Sequence, residues 1–468
     1  MKLNLITVSL ATLVAAGAFP AHAGPQAHVV CGYHHTLGDD AIMMFGKANQ
    51  AMWHDFFGNT HTDAVSTYQT LRAQPDTTCD NKADSSAYWA PSMKLPDGEI
   101  VNPAYQKTYY QSTNVAQYPL HPFPAGLELL AGDHHGTGPS SAITFLCANG
   151  KGYTNKVGEI CGLRKAGDAV QFNIGIAFPN CWDGVNLKPT HSHNNAIYAD
   201  HGKCSADYPV KIPTVNMNIA WVLVLPQISS LDTSKVELSM DSVMHGETRE
   251  ERWGSLYTAH ADFMNGWTED GAQFMTDLCM NQGLDCGTTV PYAYSKAEEN
   301  TWVSSEDDKP HASVDTLYVQ DDWTNGGRTQ HPETLTLVKF KIPPLPANMD
   351  ASLFKYRIRL FGGKTEANGA DQIFFYPTSS DWHVSTVSWN NKPAINYRSD
   401  AVLYLDHSHE YRMVDVDKAV RKALAEGKTE ISWYIGGDRQ GNHYDFTPAD
   451  SKQSLVLMLT GFKKTPEL

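Results

Sequence analysis

Hydrophobic and polar positions alternate over short stretches along most of the chain, with few helical runs. Ala27-His28-Val29-Val30, Ala142 to Leu146, Gln171 to Ile176 and Ile219 to Leu225 read as strands bounded by Gly, Pro, Asn and Asp. Phe56-Phe57 suits a buried strand, and Gly58-Asn59 after it suits a turn, since both residues tolerate positive φ. Residues 62–73 predict a short helix or helical turn. Residues 270–281 predict a helix with Phe274, Leu278 and Cys279 on one face. Beyond residue 300 the alternation becomes regular: Asp315 to Val319, Leu335 to Phe340, Phe354 to Phe361, Trp382 to Pro393, Glu430 to Ile435 and Leu455 to Leu459. One helical stretch, Lys418 to Glu426, interrupts them. The expected fold class is mainly β: a β-rich N-terminal domain with short helices and long loops, then a C-terminal β-sandwich of jelly-roll type.

Cysteine usage divides the chain. All eight cysteines (Cys31, Cys79, Cys147, Cys161, Cys181, Cys204, Cys279 and Cys286) precede residue 287, and none has a CxxC spacing. Residues 1–23 read as a signal peptide: Lys2, an apolar run from Leu3 to Phe19, then Ala21-His22-Ala23 as the cleavage site. An even cysteine count behind an export signal predicts disulfides in a secreted, extracellular or periplasmic product. Cys147–Cys161 and Cys279–Cys286 are candidates for local loops. The expected domains are 24–290 and 301–465, with 291–300 as linker.

The net charge of −15 argues against nucleic acid, which demands clustered Lys and Arg. No later apolar run reaches the length of a membrane span. The chain has 11 Trp and 21 Tyr, whose rings stack on sugars as well as filling β cores.

Three stretches carry candidate chemistry. The first is His54-Asp55-Phe56-Phe57-Gly58-Asn59. The second is Asn180-Cys181-Trp182-Asp183-Gly184 with His191, His193 and Tyr198 downstream. The third is His260-Ala261-Asp262-Phe263. If extended, His191 and His193 share a side, as do His260 and Asp262. A carboxylate beside an imidazole fixes its tautomer and raises its basicity, as acid–base chemistry requires. The candidate catalytic set is therefore His54, Asp55, Asp183, His193, Tyr198, His260 and Asp262. No metal is assigned, although His54, His193 and His260 on one ion is an alternative.

These blocks, with Cys31, Tyr33, His35, Asp39, Asp40, Cys79, Ser86 to Pro91, Cys204 and Pro209-Val210, resemble the secreted domain of unknown function DUF1996 over nearly all of residues 31–290. A second histidine common in that family, two positions before His54, is Met52 here. From 301 to 461, WHVSTVSWNNKP and DVDKAV resemble DNRLRE-type jelly rolls and carbohydrate-binding module family 96. The second resemblance implies a polysaccharide partner, acidic in some members, and attachment to polysaccharide-degrading enzymes. The expected function is thus a polysaccharide hydrolase or lyase with a binding module. The alternatives are a non-catalytic polysaccharide-binding protein and a metal-dependent extracellular enzyme. In the C-terminal domain Trp382 and Trp389 are expected in core and turn, and Trp323 as an exposed platform. Acids at 321–322 or Asp307 and Asp308 offer oxygens for a structural Ca²⁺.

Overall fold

The computed structural model describes residues 24–164, 169–224, 228–246, 248–321, 333–365, 371–437 and 441–463. The expected signal peptide, Asp322 and Trp323 lie outside them. The chain is mainly β. Its first half forms a nine-stranded antiparallel sheet from β1 (Gln26–Leu37), β2 (His54–Gly58), β3 (Ala87–Pro91), β4 (Tyr105–Gln111), β5 (Glu128–Gly132), β6 (Ile143–Cys147), β7 (Ala169–Ala177), β8 (Thr214–Val224) and β9 (His260–Met264). Their order is β5-β9-β3-β2-β1-β4-β8-β7-β6.

β2 and β3 are buried at every position, so both sheet faces are covered there. Phe57, Tyr88, Ala90 and Phe263 pack into the main core on one face. Phe56, Trp89, Ala87 and Met264 meet Ala41, Ile42 and Leu71 on the other. Leu71 comes from α1 (Tyr68–Ala73), which is shorter than the 62–73 stretch predicted. Residues 62–66, with Asp63 and Ser66 hydrogen-bonded to each other, form turns instead, and Thr67 caps the helix in a reciprocal box with Thr70. α2 (Glu269–Asp277) starts at the Thr268 cap and buries Phe274.

Four disulfides link Cys31–Cys79, Cys147–Cys161, Cys181–Cys204 and Cys279–Cys286. Both local loops expected from sequence are among them.

The second half is sandwich-like. Its strands are β10 (Ala293–Ser304), β11 (Leu317–Asp321), β12 (Glu333–Lys341), β13 (Phe354–Lys364), β14 (Asp371–Thr378), β15 (Ala401–Leu405), β16 (Glu410–Asp415), β17 (Glu430–Gly436), β18 (His443–Phe446) and β19 (Val456–Gly461). β10 pairs with β19 along its first half and with β12 along its second. The stretch expected as a linker, 291–300, is therefore largely the first strand of this sheet.

α3 (Asp417–Ala425) matches the predicted helix. Trp382 to Pro393, expected among the strands, is a series of turns. Lys339 holds it: its buried ammonium donates to Trp382 O and pairs with Glu299 at 3.0 Å. Trp382 is buried, and its indole N–H donates to Ser432. Asp308 accepts from the Asn390 backbone and side chain, and Asp307 lies near Lys309 and His311. Among the described residues neither gathers with further acids into a cation-sized cluster.

Candidate functional site

Strand register assembles the site. Phe56 on β2 stands opposite Trp89 on β3, which stands opposite Asp262 on β9. One step along, His54 is opposite Pro91, and His260 lies level with both. Side chains alternate across a strand, so His54, Trp89, Pro91, His260 and Asp262 project from one face. The two histidine backbones are two strands apart, roughly 10 Å. Pro91 between them offers only a compact ring, and the imidazoles close over it to 6.0 Å between centroids.

Each imidazole is fixed by a backbone carbonyl. His54 Nδ1 lies 2.9 Å from Asp39 O, and His260 Nδ1 lies 2.9 Å from Thr258 O. A carbonyl can only accept, so each Nδ1 carries the proton and each Nε2 presents a lone pair. His54 Nε2 is buried with no partner. Burial lowers the His54 pKa to about 4; burial and the neighbouring His54 lower His260 to about 4. Both rings are neutral at pH 7.

Acids surround them. Asp262 is 3% exposed. Burial, then Asp40 and Glu128, raise its pKa well above the carboxylate range. Glu128, at the start of β5 opposite Met264, is pushed up to about 7 by burial, with Lys188 opposing and Asp40 adding. Burial likewise raises Asp40, against hydrogen bonds from Met43 and Ile42 N–H. The loop 38–50 that carries Asp39 and Asp40 closes over this face. His134 stands beside His260 at 5.9 Å and is partly exposed, which marks the solvent side. Glu128 and His134 had no motif to reveal them; each is an ordinary residue until β5 pairs with β9.

Not every sequence candidate joins the cluster. Asp55 follows His54 directly, so it points to the opposite face. There it accepts from Thr36 and Ser92, and burial raises it to about 6 against those two hydrogen bonds. Asp183 and His193 pair with each other at 2.9 Å on a loop anchored by Cys181–Cys204. Burial pushes Asp183 up, but donors on His193, Asn186 and the Val185 and Asn186 backbones outweigh it and bring it down to about 2. His191-Ser192-His193 is a tight turn closed by Thr190 and His193, not an extended pair. His193 therefore does not meet His54 and His260; Asp262 takes the third place. The exposed Tyr198 donates its hydroxyl to Ala177 O, 2.8 Å away, and loss of water around that hydroxyl raises its pKa to about 12.

Ligand atoms of His54, His260 and Asp262 lie within 4.8 Å of one another. Cys31, Cys79 and Asp84 also cluster, but the disulfide occupies both sulfurs. In the second half a groove of about 760 Å³ opens between residues 377–400 and α3, with Arg398, Lys418, Lys422 and Lys428 and the acids Asp400, Glu426 and Glu430 in its walls.

Residues 40–267 match the family of the domain of unknown function DUF1996. Residues 291–461 match carbohydrate-binding module family 96, which supports polysaccharide binding. No curated protein matches the chain. The four disulfides and the binding module fit an extracellular protein, and no described helix is long and apolar enough to cross a membrane.

Proposed function

We propose that a chain joining a DUF1996 domain to a carbohydrate-binding module is an extracellular enzyme that cleaves glycosidic bonds in the polysaccharide its module holds. The carrying observation is the opposition of chemistry on one face. Neutral imidazole lone pairs at His54 and His260 face carboxyls whose burial favours the protonated form. Glu128, at about 7, is poised as a general acid toward a leaving sugar oxygen. A lone pair of the imidazole face serves as base, toward water in hydrolysis or toward the proton beside a uronic carboxyl in elimination. The C-terminal groove, with cationic and acidic side chains both in its walls, offers the polymer's hydroxyls a polar surface.

A second reading, binding without catalysis, is favoured by one observation: His54 is only 1% exposed. The test begins with polysaccharides that the purified protein sediments with, and follows reducing ends and unsaturated products for each. Cleavage is expected to fall as pH rises through about 7 and Glu128 loses its proton. Glu128→Gln should lower kcat/KM by about 10²-fold or more and abolish that alkaline limb, with polymer binding retained. Background product levels on every bound polymer would leave only the binding reading.

A further inference from the structure

We infer that His54 Nε2, His260 Nε2 and an Asp262 carboxylate oxygen bind one divalent transition-metal ion of the Zn²⁺ class. Their ligand atoms lie within 4.8 Å of one another, a span that small side-chain rotations close around an ion with bonds of about 2.0–2.2 Å. The second layer is already built. Both Nδ1–H groups donate to backbone carbonyls, Asp39 O and Thr258 O, which orients the rings and leaves Nε2 free to ligate.

Two independent observations ask for a cation. His54 Nε2 is fully buried without a hydrogen-bond partner, a state that is unfavourable unless something occupies the lone pair. Asp262 is buried beside Asp40 and Glu128, so three carboxyls gather there. An ion at the three ligands would satisfy the orphaned nitrogen and relieve that repulsion.

The donor set decides the class of ion. Two imidazoles and one carboxylate suit Zn²⁺ and its first-row neighbours; Ca²⁺ and Mg²⁺ prefer oxygen throughout. Three protein ligands leave a coordination position open, as in catalytic rather than structural zinc sites. With an ion bound the imidazoles would be ligands, and the ion would lower the pKa of a water at the open position so that hydroxide replaces the imidazole as base, with Glu128 still the acid. Binding of the ion does not rest on the cleavage reading, because it is measured without polymer.

The experiment uses the full-length protein, stripped with a chelator and titrated with Zn²⁺ by calorimetry. One ion per chain is expected, with a higher thermal midpoint. Asp262→Asn and His260→Gln should each weaken binding by at least about tenfold. A His191→Ala/His193→Ala variant, altered only on the surface turn, should bind as the native chain does. No stoichiometric binding, or equal binding in Asp262→Asn and His260→Gln, overturns the inference. If those variants unfold, Co²⁺ added to the native protein decides. Ligand-field bands of a low-coordinate nitrogen–oxygen site support the assignment, and the spectrum of the free hydrated ion refutes it.

Discussion

His54 and His260 tie the stability of this protein to pH in a direction that can be worked out. In the fold both protonate near 4, against about 6.5 in an unfolded chain. Between those values the unfolded chain binds more protons, so their contribution is full above pH 6.5 and is lost as pH falls toward 4. Glu128 runs the other way: raised to about 7 from 4.5, it favours the fold when protonated, and that contribution is lost as pH rises through 7. The native chain shows only the sum, so a comparison isolates one group. In metal-free protein, urea unfolding of His260→Gln should show a stability deficit that narrows by up to about 3 kcal/mol between pH 7 and pH 4. A deficit constant across that range would mean that His260 is not held neutral by the fold.

At the scale of elements, β2 is the piece on which the site depends. Its five residues send His54 and Phe56 to the site face and Asp55 and Phe57 to the main core, so a one-residue slip would exchange them. Gly58 ends the strand at φ +80°, where a Cβ would lie 2.1 Å from Ser86 O. Gly58→Ala meets both a disfavoured backbone angle and fixed backbone, and should cost at least about 2 kcal/mol in chemical unfolding. Loss of less than half that would show that β2 and the segment before β3 separate easily. The turn was legible from Gly-Asn in the sequence; the close approach that makes the glycine necessary was not, because Ser86 is distant along the chain.

Over the whole molecule the two halves share packing. Phe274 and Leu278, at and just beyond α2, meet Val456 and Met458 of β19. Arg359 of β13 is buried among them, its guanidinium 4.7 Å from the Phe274 ring centre and 4.2 Å from that of Tyr411, with Nη2 donating to Leu278 O at 2.9 Å. Arg359→Ala removes the ring contacts and leaves a buried carbonyl unpaired, at a cost of about 2–4 kcal/mol. Scanning calorimetry is expected to show one transition for the native chain and two for the variant; a single unchanged endotherm in the variant would mean that the halves are coupled elsewhere.

Local pattern determined much of this protein. Hydrophobic patterning marked β1, β6, β7, β8, β11, β12, β13, β17 and β19, and the Phe56-Phe57 pair marked the fully buried β2, because side-chain direction and burial are read locally whatever the partner strand. The cysteines announced two of their four pairings through short separations, and motif blocks identified both halves. His260 and Asp262 were read on one face because they lie on one strand. Tertiary structure alone decided which candidates meet. That Asp183 and His193 satisfy each other on a loop, and that Glu128, Asp39 and Asp40 complete the site, both follow from strand order and loop closure. Those are set by the burial of whole faces, and no spacing along the chain encodes the distance between β2 and β9.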